Sequence, residues 1–159
     1  MTEMTTMIIK CITLWQPWAS LIVDKRKPVE TRPWKTKYRG VLAIHAGLHV
    51  DRQACIKFKY NQKTIPRGAV LGIATVMNCV QFPDPSIVED DYGDYTAGRF
   101  GWVLDFVHKF EKPIPAKGNR MLWNWEVPKE IIARKNVISI GHDQEITILT
   151  KEQFWDEDN

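Results

Sequence analysis

Apolar and polar positions along the chain change period several times, and each change marks an element. Met7 to Leu14 is dense in apolar residues and predicts a first strand after a frayed start. Pro17 sits where a first helical residue belongs, and Trp18, Leu21 and Ile22 follow at i, i+3 and i+4, which predicts a short helix with one buried face. That helix should stop by Lys27, because the residue before Pro28 is pushed out of the α region. The period then becomes two, with Glu30, Arg32 and Trp34 on one side of an extended segment and Val29 and Thr31 on the other. Neither Pro28 nor Pro33 can donate to a ladder, so this segment is expected at an edge or as an irregular crossover.

Tyr38-Arg39-Gly40 reads as a turn into a strand from Val41 to Ala46, on which His45 shares its side with Val41 and Ala43. Val50, Ala54 and Phe58 recur every four residues and predict a second short helix within Val50 to Tyr60. Pro66-Arg67-Gly68 turns the chain into a long strand, Ala69 to Val80, where Gly72 marks a bulge or a close backbone approach. Gln81 to Ala97 is rich in Pro, Asp and Gly and is expected as a loop, placed to cover a site or to move. From Phe100 to Phe110 the alternation puts Phe100, Trp102, Leu104, Phe106, His108 and Phe110 on one core face. Pro113 to Gly118 is a stiff loop carrying Lys117, and Met121 to Val127 is a strand with Trp123 and Trp125 on a core side. Beyond Pro128, Asn136 to Ile140 and Glu145 to Leu149 flank a turn and predict a terminal hairpin. Many short strands with two brief helices give an α+β, mainly β class: a small β-barrel with short helices at its ends. Such a barrel is filled by its own side chains, so a ligand should bind in a surface cleft beside it.

Composition changes this picture little. With 159 residues, 44% hydrophobic and 26% charged, the chain fits one soluble globular domain. Its apolar runs are short, which argues against a membrane span or a secretory signal. Cys11, Cys55 and Cys79 are odd in number and without a CxxC pair, which points to reduced thiols and a cytoplasmic location.

Charge matters more. The net charge is only +3, yet between Asp24 and Arg39 seven cations (Lys25, Arg26, Lys27, Arg32, Lys35, Lys37, Arg39) face only Asp24 and Glu30. Acids gather at Asp84 to Asp94 and in Asp156-Glu157-Asp158. That separation predicts one side facing a polyanion and another solvating the molecule.

Candidate chemistry concentrates between Leu14 and Gly47. Lys27 and Arg32 offer donors to a phosphate or a base carbonyl, and Glu30 can accept from an exocyclic amino group. Trp15, Trp18, Trp34 and Tyr38 are candidates to stack an unpaired base. A purely architectural alternative is that Glu30 pairs with Lys27 or Arg32 and pins the crossover. His45, His49, His108 and His142 are too scattered to predict a metal site, and neither a phosphate loop nor a dinucleotide fingerprint is present, so no cofactor is implied.

Four separated stretches resemble the ASCH domain of the PUA-like β-barrel superfamily: Gln16-Pro17-Trp18-Ala19 with Lys27 to Arg32, Pro66 to Gly72, Gly98 to Trp102, and Pro113 to Gly118 with Leu122 to Trp125. In the signature Gly-x-Lys-x-x-Glu-x-Arg, Lys27, Glu30 and Arg32 hold their places and Lys25 stands where the glycine belongs. The resemblance implies an ASCH/PUA-like domain over residues 7–128, then a C-terminal extension at 129–155 with a hairpin on the barrel, and an acidic tail at 156–159. It implies binding of single-stranded RNA or a modified nucleotide, with DNA as a further possibility and no membrane partner. The implied binding set is Trp15, Gln16, Trp18, Lys27, Glu30, Arg32, Trp34, Tyr38, Arg39, Arg99 and Lys117. The alternative is a metal-independent RNA-processing hydrolase, a ribonuclease using Lys27, Glu30 and His45 or an amidohydrolase acting on an acylated nucleoside. Amidohydrolase relatives pair the motif lysine with a threonine at the place of Glu30; here Thr31 is expected on the opposite face. A protein-interaction module is the third reading.

Overall fold

In a computed structural model the described residues are 7–128, with the backbone of Ile138–Ile140 and Gln144–Ile146. The first strand, β1 (Ile8–Gln16), leads into helix α1 (Trp18–Val23), edge strand β2 (Val29–Arg32) and strand β3 (Gly40–Val50). Helix α2 (Arg52–Phe58), β4 (Ala69–Gln81), β5 (Phe100–Pro115) and β6 (Leu122–Glu126) follow. These six strands form one sheet in the order β2-β5-β4-β3-β1-β6. Only β1 and β3 run parallel, in a pairing that brings Lys10 opposite Leu42. The strands β7 (Ile138–Ile140) and β8 (Gln144–Ile146) pair antiparallel as a separate hairpin, with Ser139 opposite Glu145. The expected acidic tail lies outside the described residues.

Both faces of the sheet are covered, which explains why β1 is apolar at odd and even positions alike. Ile12 and Leu14 join Leu42, Ile44, Trp102 and α1 in one cluster, whereas Ile9 and Cys11 join Ala43, Val70, Ile73 and Trp125 in the other. Both faces of a strand that is buried on two sides read as continuous hydrophobic sequence. Trp125 is core, and Trp123 packs against the same cluster.

Strand β5 departs from the expected single core face. Its pairing with β4 shifts register between Ile73 and Thr75, opposite His108 and Asp105, and Phe106 has φ 50°. An extra residue reverses the parity of every side chain beyond it. Trp102 and Leu104 therefore enter the first cluster and Phe110 packs on the second, while Phe106 is left 47% exposed. Gly72 lies in the same distorted region, where a Cβ would come within 2.3 Å of the His108 carbonyl oxygen. The segment expected as a loop from Pro113 is still strand as far as Pro115, opposite Ala69.

Helix α1 begins one residue later than expected, with Pro17 as its N-cap. It ends before Pro28 as expected, and its exit runs through Lys25 at φ 61°. That is the left-handed region, where a side chain costs about 1–2 kcal/mol and glycine costs none. Lys25→Gly should therefore raise unfolding stability by about 1 kcal/mol after the extra chain entropy of glycine is subtracted. Urea denaturation checks this, and an unchanged or lower midpoint would show that the turn carries no strain.

Candidate functional site

The left-handed exit from α1 sends Lys27 inward. Its side chain is 2% exposed, and its ammonium donates to the Tyr92 carbonyl oxygen at 2.6 Å, lies 3.9 Å from Glu30 Oε1 and sits 5.8 Å above the Trp18 ring. Burial pulls the Lys27 pKa below its usual value, while Glu30 and Asp90 oppose that effect. On β2, Glu30 is opposite Trp102. Its Oε1 accepts from the Thr31 amide at 2.9 Å, while its Oε2 is buried without a hydrogen-bond partner.

The acidic loop that follows β4 closes this site. Covering a site is one of the two roles expected of this segment, although its acids were also expected to solvate a separate side; Asp91, Tyr92, Gly93 and Asp94 form a cleft with Trp18, Lys27, Glu30 and Thr31, of about 370 Å³. The Asp94 amide donates to Thr31 Oγ1 at 3.0 Å. Gly93 permits that approach, since a Cβ there would come within 2.7 Å of Thr31 Cγ2. Tyr92 packs on Phe58, and Phe58 on Trp18, so the aromatic rings tie the loop to both helices. The cleft is thus not the cationic one expected, because Glu30, Asp91 and Asp94 surround a single lysine. Thr31, expected on the face opposite Glu30, lines the same cleft.

The other nominated residues separate. Gln16 is fully buried; its amide donates to Ser20 Oγ at 2.8 Å and to the Pro66 carbonyl at 2.7 Å, so it braces α1 and has no face left for a ligand. Arg32 is half-buried with its Nε unpartnered and does not line the cleft. Trp34 packs edge-on against Trp102 at 4.8 Å, and Tyr38 packs on the same core cluster and donates to the Val41 carbonyl. Those two rings are directed by core packing rather than toward solvent. Arg39 donates to the carbonyls of Thr36 and Tyr38 within its own turn. Arg99 clamps the acidic loop, donating to the Asp94 carbonyl at 3.2 Å and to the Thr31 carbonyl at 3.4 Å.

His45 sits apart from the cleft. It is 1% exposed, bonds the Ala116 carbonyl through Nε2 at 2.7 Å and meets Trp123 edge-on. Burial lowers its pKa, and Gly118 closes over its ring. This placement removes it from the candidate catalytic set. Lys117 is exposed beside this region, away from the cleft. Trp15 is 55% exposed and packs against His49 with ring centres 3.8 Å apart and planes tilted by 48°.

Among the described residues no group of three or more His, Cys, Asp or Glu side chains is placed to hold a metal ion. No helix among them is long and apolar enough to cross a membrane.

A single mainly β sheet with two short helices, and a cleft where the first helix meets the edge strand, defines an α+β, mainly β class. Within it the chain belongs to the ASCH domain family, whose sequence profile matches residues 12–114. It is similar to activating signal cointegrator 1 of Mus musculus and of Homo sapiens, 29% identical to each over 71% of this chain and 22% of theirs. The chain therefore spans about a fifth of the length of those relatives. A crystal structure of ASCH from Zymomonas mobilis aligns over 91% of this chain and 89% of its own, at 19% identity and a TM-score of 0.46. A point variant of that protein aligns over 79% and 92%, at 20% identity and a TM-score of 0.47.

Removing the Lys27 ammonium leaves the Glu30 carboxylate buried and alone, and breaking a buried pair from one side costs about 3–5 kcal/mol. Lys27→Met should be destabilising on that scale, and Lys27→Met/Glu30→Gln should recover part of the loss, with a coupling of about 0.5–3 kcal/mol by urea denaturation. Additive effects would mean that the two groups do not interact. The depressed Lys27 pKa also has a sign. The unfolded chain holds the lysine proton up to about 10.5, so wild-type stability should gain from Lys27 as pH rises from the depressed folded value toward 10.5. Lys27→Met should lack that gain.

Proposed function

We propose that the protein binds single-stranded RNA, or a modified nucleotide within it, by taking one base into the Lys27–Glu30 cleft. The observation that carries this reading is Glu30 Oε2, a buried acceptor without a partner in the cleft wall. Leaving such an atom unsatisfied costs about 1–3 kcal/mol or more for a charged group, so a ligand that brings a donor is favoured. An exocyclic amino or ring imino group supplies one. Lys27 has three N–H donors and gives one to Tyr92, which leaves it able to meet a base carbonyl. The Trp18 ring offers an apolar wall, and a volume of about 370 Å³ falls within the range of small-molecule sites.

A hydrolase acting on RNA or on an acylated nucleoside is the second reading, supported by the Thr31 hydroxyl lining the same cleft as Lys27. A lysine whose pKa is lowered by burial holds its proton less tightly, as a general base requires.

Glu30→Gln separates the two, because it keeps size and one acceptor while removing charge and basicity. Base recognition predicts weaker binding by about 1–3 kcal/mol for homopolymers that present an amino group, and little change for those without one. A hydrolase in which Glu30, rather than Lys27, is the general base predicts a turnover loss of about 10²–10⁴-fold with binding kept. Affinity for the four RNA homopolymers, product from oligonucleotides and acylated nucleosides, and melting temperature are to be measured together. A variant unchanged in all of them would remove Glu30 from the function.

A further inference from the structure

Away from the Lys27 cleft, the end of β3 and the start of α2 enclose a basin of about 500 Å³. Leu48, His49, Arg52, Gln62, Lys63 and Arg67 line it, and no carboxylate does. The neighbouring Asp51 is held as the N-cap of α2, its carboxylate accepting from the Ala54 amide at 3.0 Å. Arg67 is held from one side, Nη2 donating to the Gln62 carbonyl at 3.1 Å. Arg52, Lys63 and Arg67 are all exposed.

An aromatic edge borders this basin. The pairing of β1 with β3 shifts register between Leu14 and Gln16, so Trp15 falls in the irregularity and stands out of the core beside His49. Leu48 is 77% exposed next to it. An indole left mostly in water forgoes its burial energy, and its contact with His49 fixes its orientation without covering it.

We propose that this basin is a second nucleic-acid contact, in which Arg52, Lys63 and Arg67 bind backbone phosphates of a single strand and Trp15 stacks on a neighbouring base. The proposal rests on the nucleic-acid reading above and assigns the phosphate-binding charge that the cleft lacks. Guanidinium groups match phosphate oxygens in a two-point fork, and an indole stacks on any base face left open by the absence of a pairing strand. An acidic protein segment would use the cations but has no base for Trp15, so a single strand is favoured.

The test is fluorescence anisotropy of the full chain with labelled homopolymeric RNA and the same-sequence DNA across a salt series. Arg52→Ala/Lys63→Ala/Arg67→Ala should reduce the slope of log affinity against log salt by about 2, as loss of three phosphate contacts to a single strand predicts. Trp15→Ala should weaken binding by about 5- to 150-fold, the equivalent of one stacked base, and Trp15→Phe should restore most of it. All four positions are exposed, so melting temperature should stay at the wild-type value. An unchanged salt slope in the triple variant overturns the proposal, as does competition by poly-glutamate as strong as that by RNA. Loss of binding in the basin variants with Glu30→Gln silent would retain the basin and reject the cleft. The reverse pattern would reject the basin and retain the cleft. Wild-type protein that binds neither oligonucleotide at low salt would overturn both.

Discussion

Burial of the Lys27 ammonium is the constraint around which this molecule is arranged. Removing such a group from water costs several kcal/mol, which only close partners offset. The partners come from three places: Trp18 on α1, Glu30 on β2 and the Tyr92 carbonyl on the loop after β4. No single segment supplies them. The helix must therefore end where it does, the edge strand must lie on β5, and the acidic loop must fold back. Gln16 and Arg99 serve this arrangement indirectly, one bracing the start of α1 and the other clamping the loop to Thr31.

The same constraint explains why an acidic loop covers a lysine-rich stretch. Lys27 is the only cation of its neighbourhood drawn into the cleft; Lys25, Lys35 and Lys37 remain outside it. Glu30 and Asp90 offset the buried positive charge, while Asp91 and Asp94 line the mouth and stay exposed. Charge counted along the sequence thus does not say which side chains line the cleft. What matters is which side chains share a cavity, and the local surplus between Asp24 and Arg39 is mostly turned to solvent or to its own turns.

Much of the fold was legible because the signals were local. Proline after Lys27 ended α1, two prolines put Val29–Arg32 at an edge, and four-residue apolar spacing located α2. The reversal in β5 was not legible, since a bulge leaves no mark on an alternating run and Phe106 reads as one more core position. In the site, Lys27 and Glu30 were legible from their spacing across an α-to-β junction. Asp91 to Asp94 were not, because their role depends on how a loop more than fifty residues away folds back. Thr31 alternates with Glu30 along β2 and still lines the cleft, because on a short edge strand covered by a loop both faces border the same cavity. His45 and Gln16 entered the candidate sets through the family resemblance, and each bonds a backbone carbonyl inside the core.

The charges in the cleft bear on what kind of group it accepts. A phosphate placed there would meet Glu30, Asp91 and Asp94, with a lysine already engaged by Tyr92 as its only cation. Each of these carboxylates repels a second negative charge brought into the cleft. A neutral base face meets no such penalty. It brings donors to Glu30 Oε2 and an acceptor to Lys27, and its ring replaces water against Trp18. The cations suited to a charged backbone lie instead around Arg52, Lys63 and Arg67, where no carboxylate lines the surface. A polymer with neutral bases and charged linkages is the ligand class whose two parts match these two environments. A free anion would match only the basin, and a free nucleobase only the cleft.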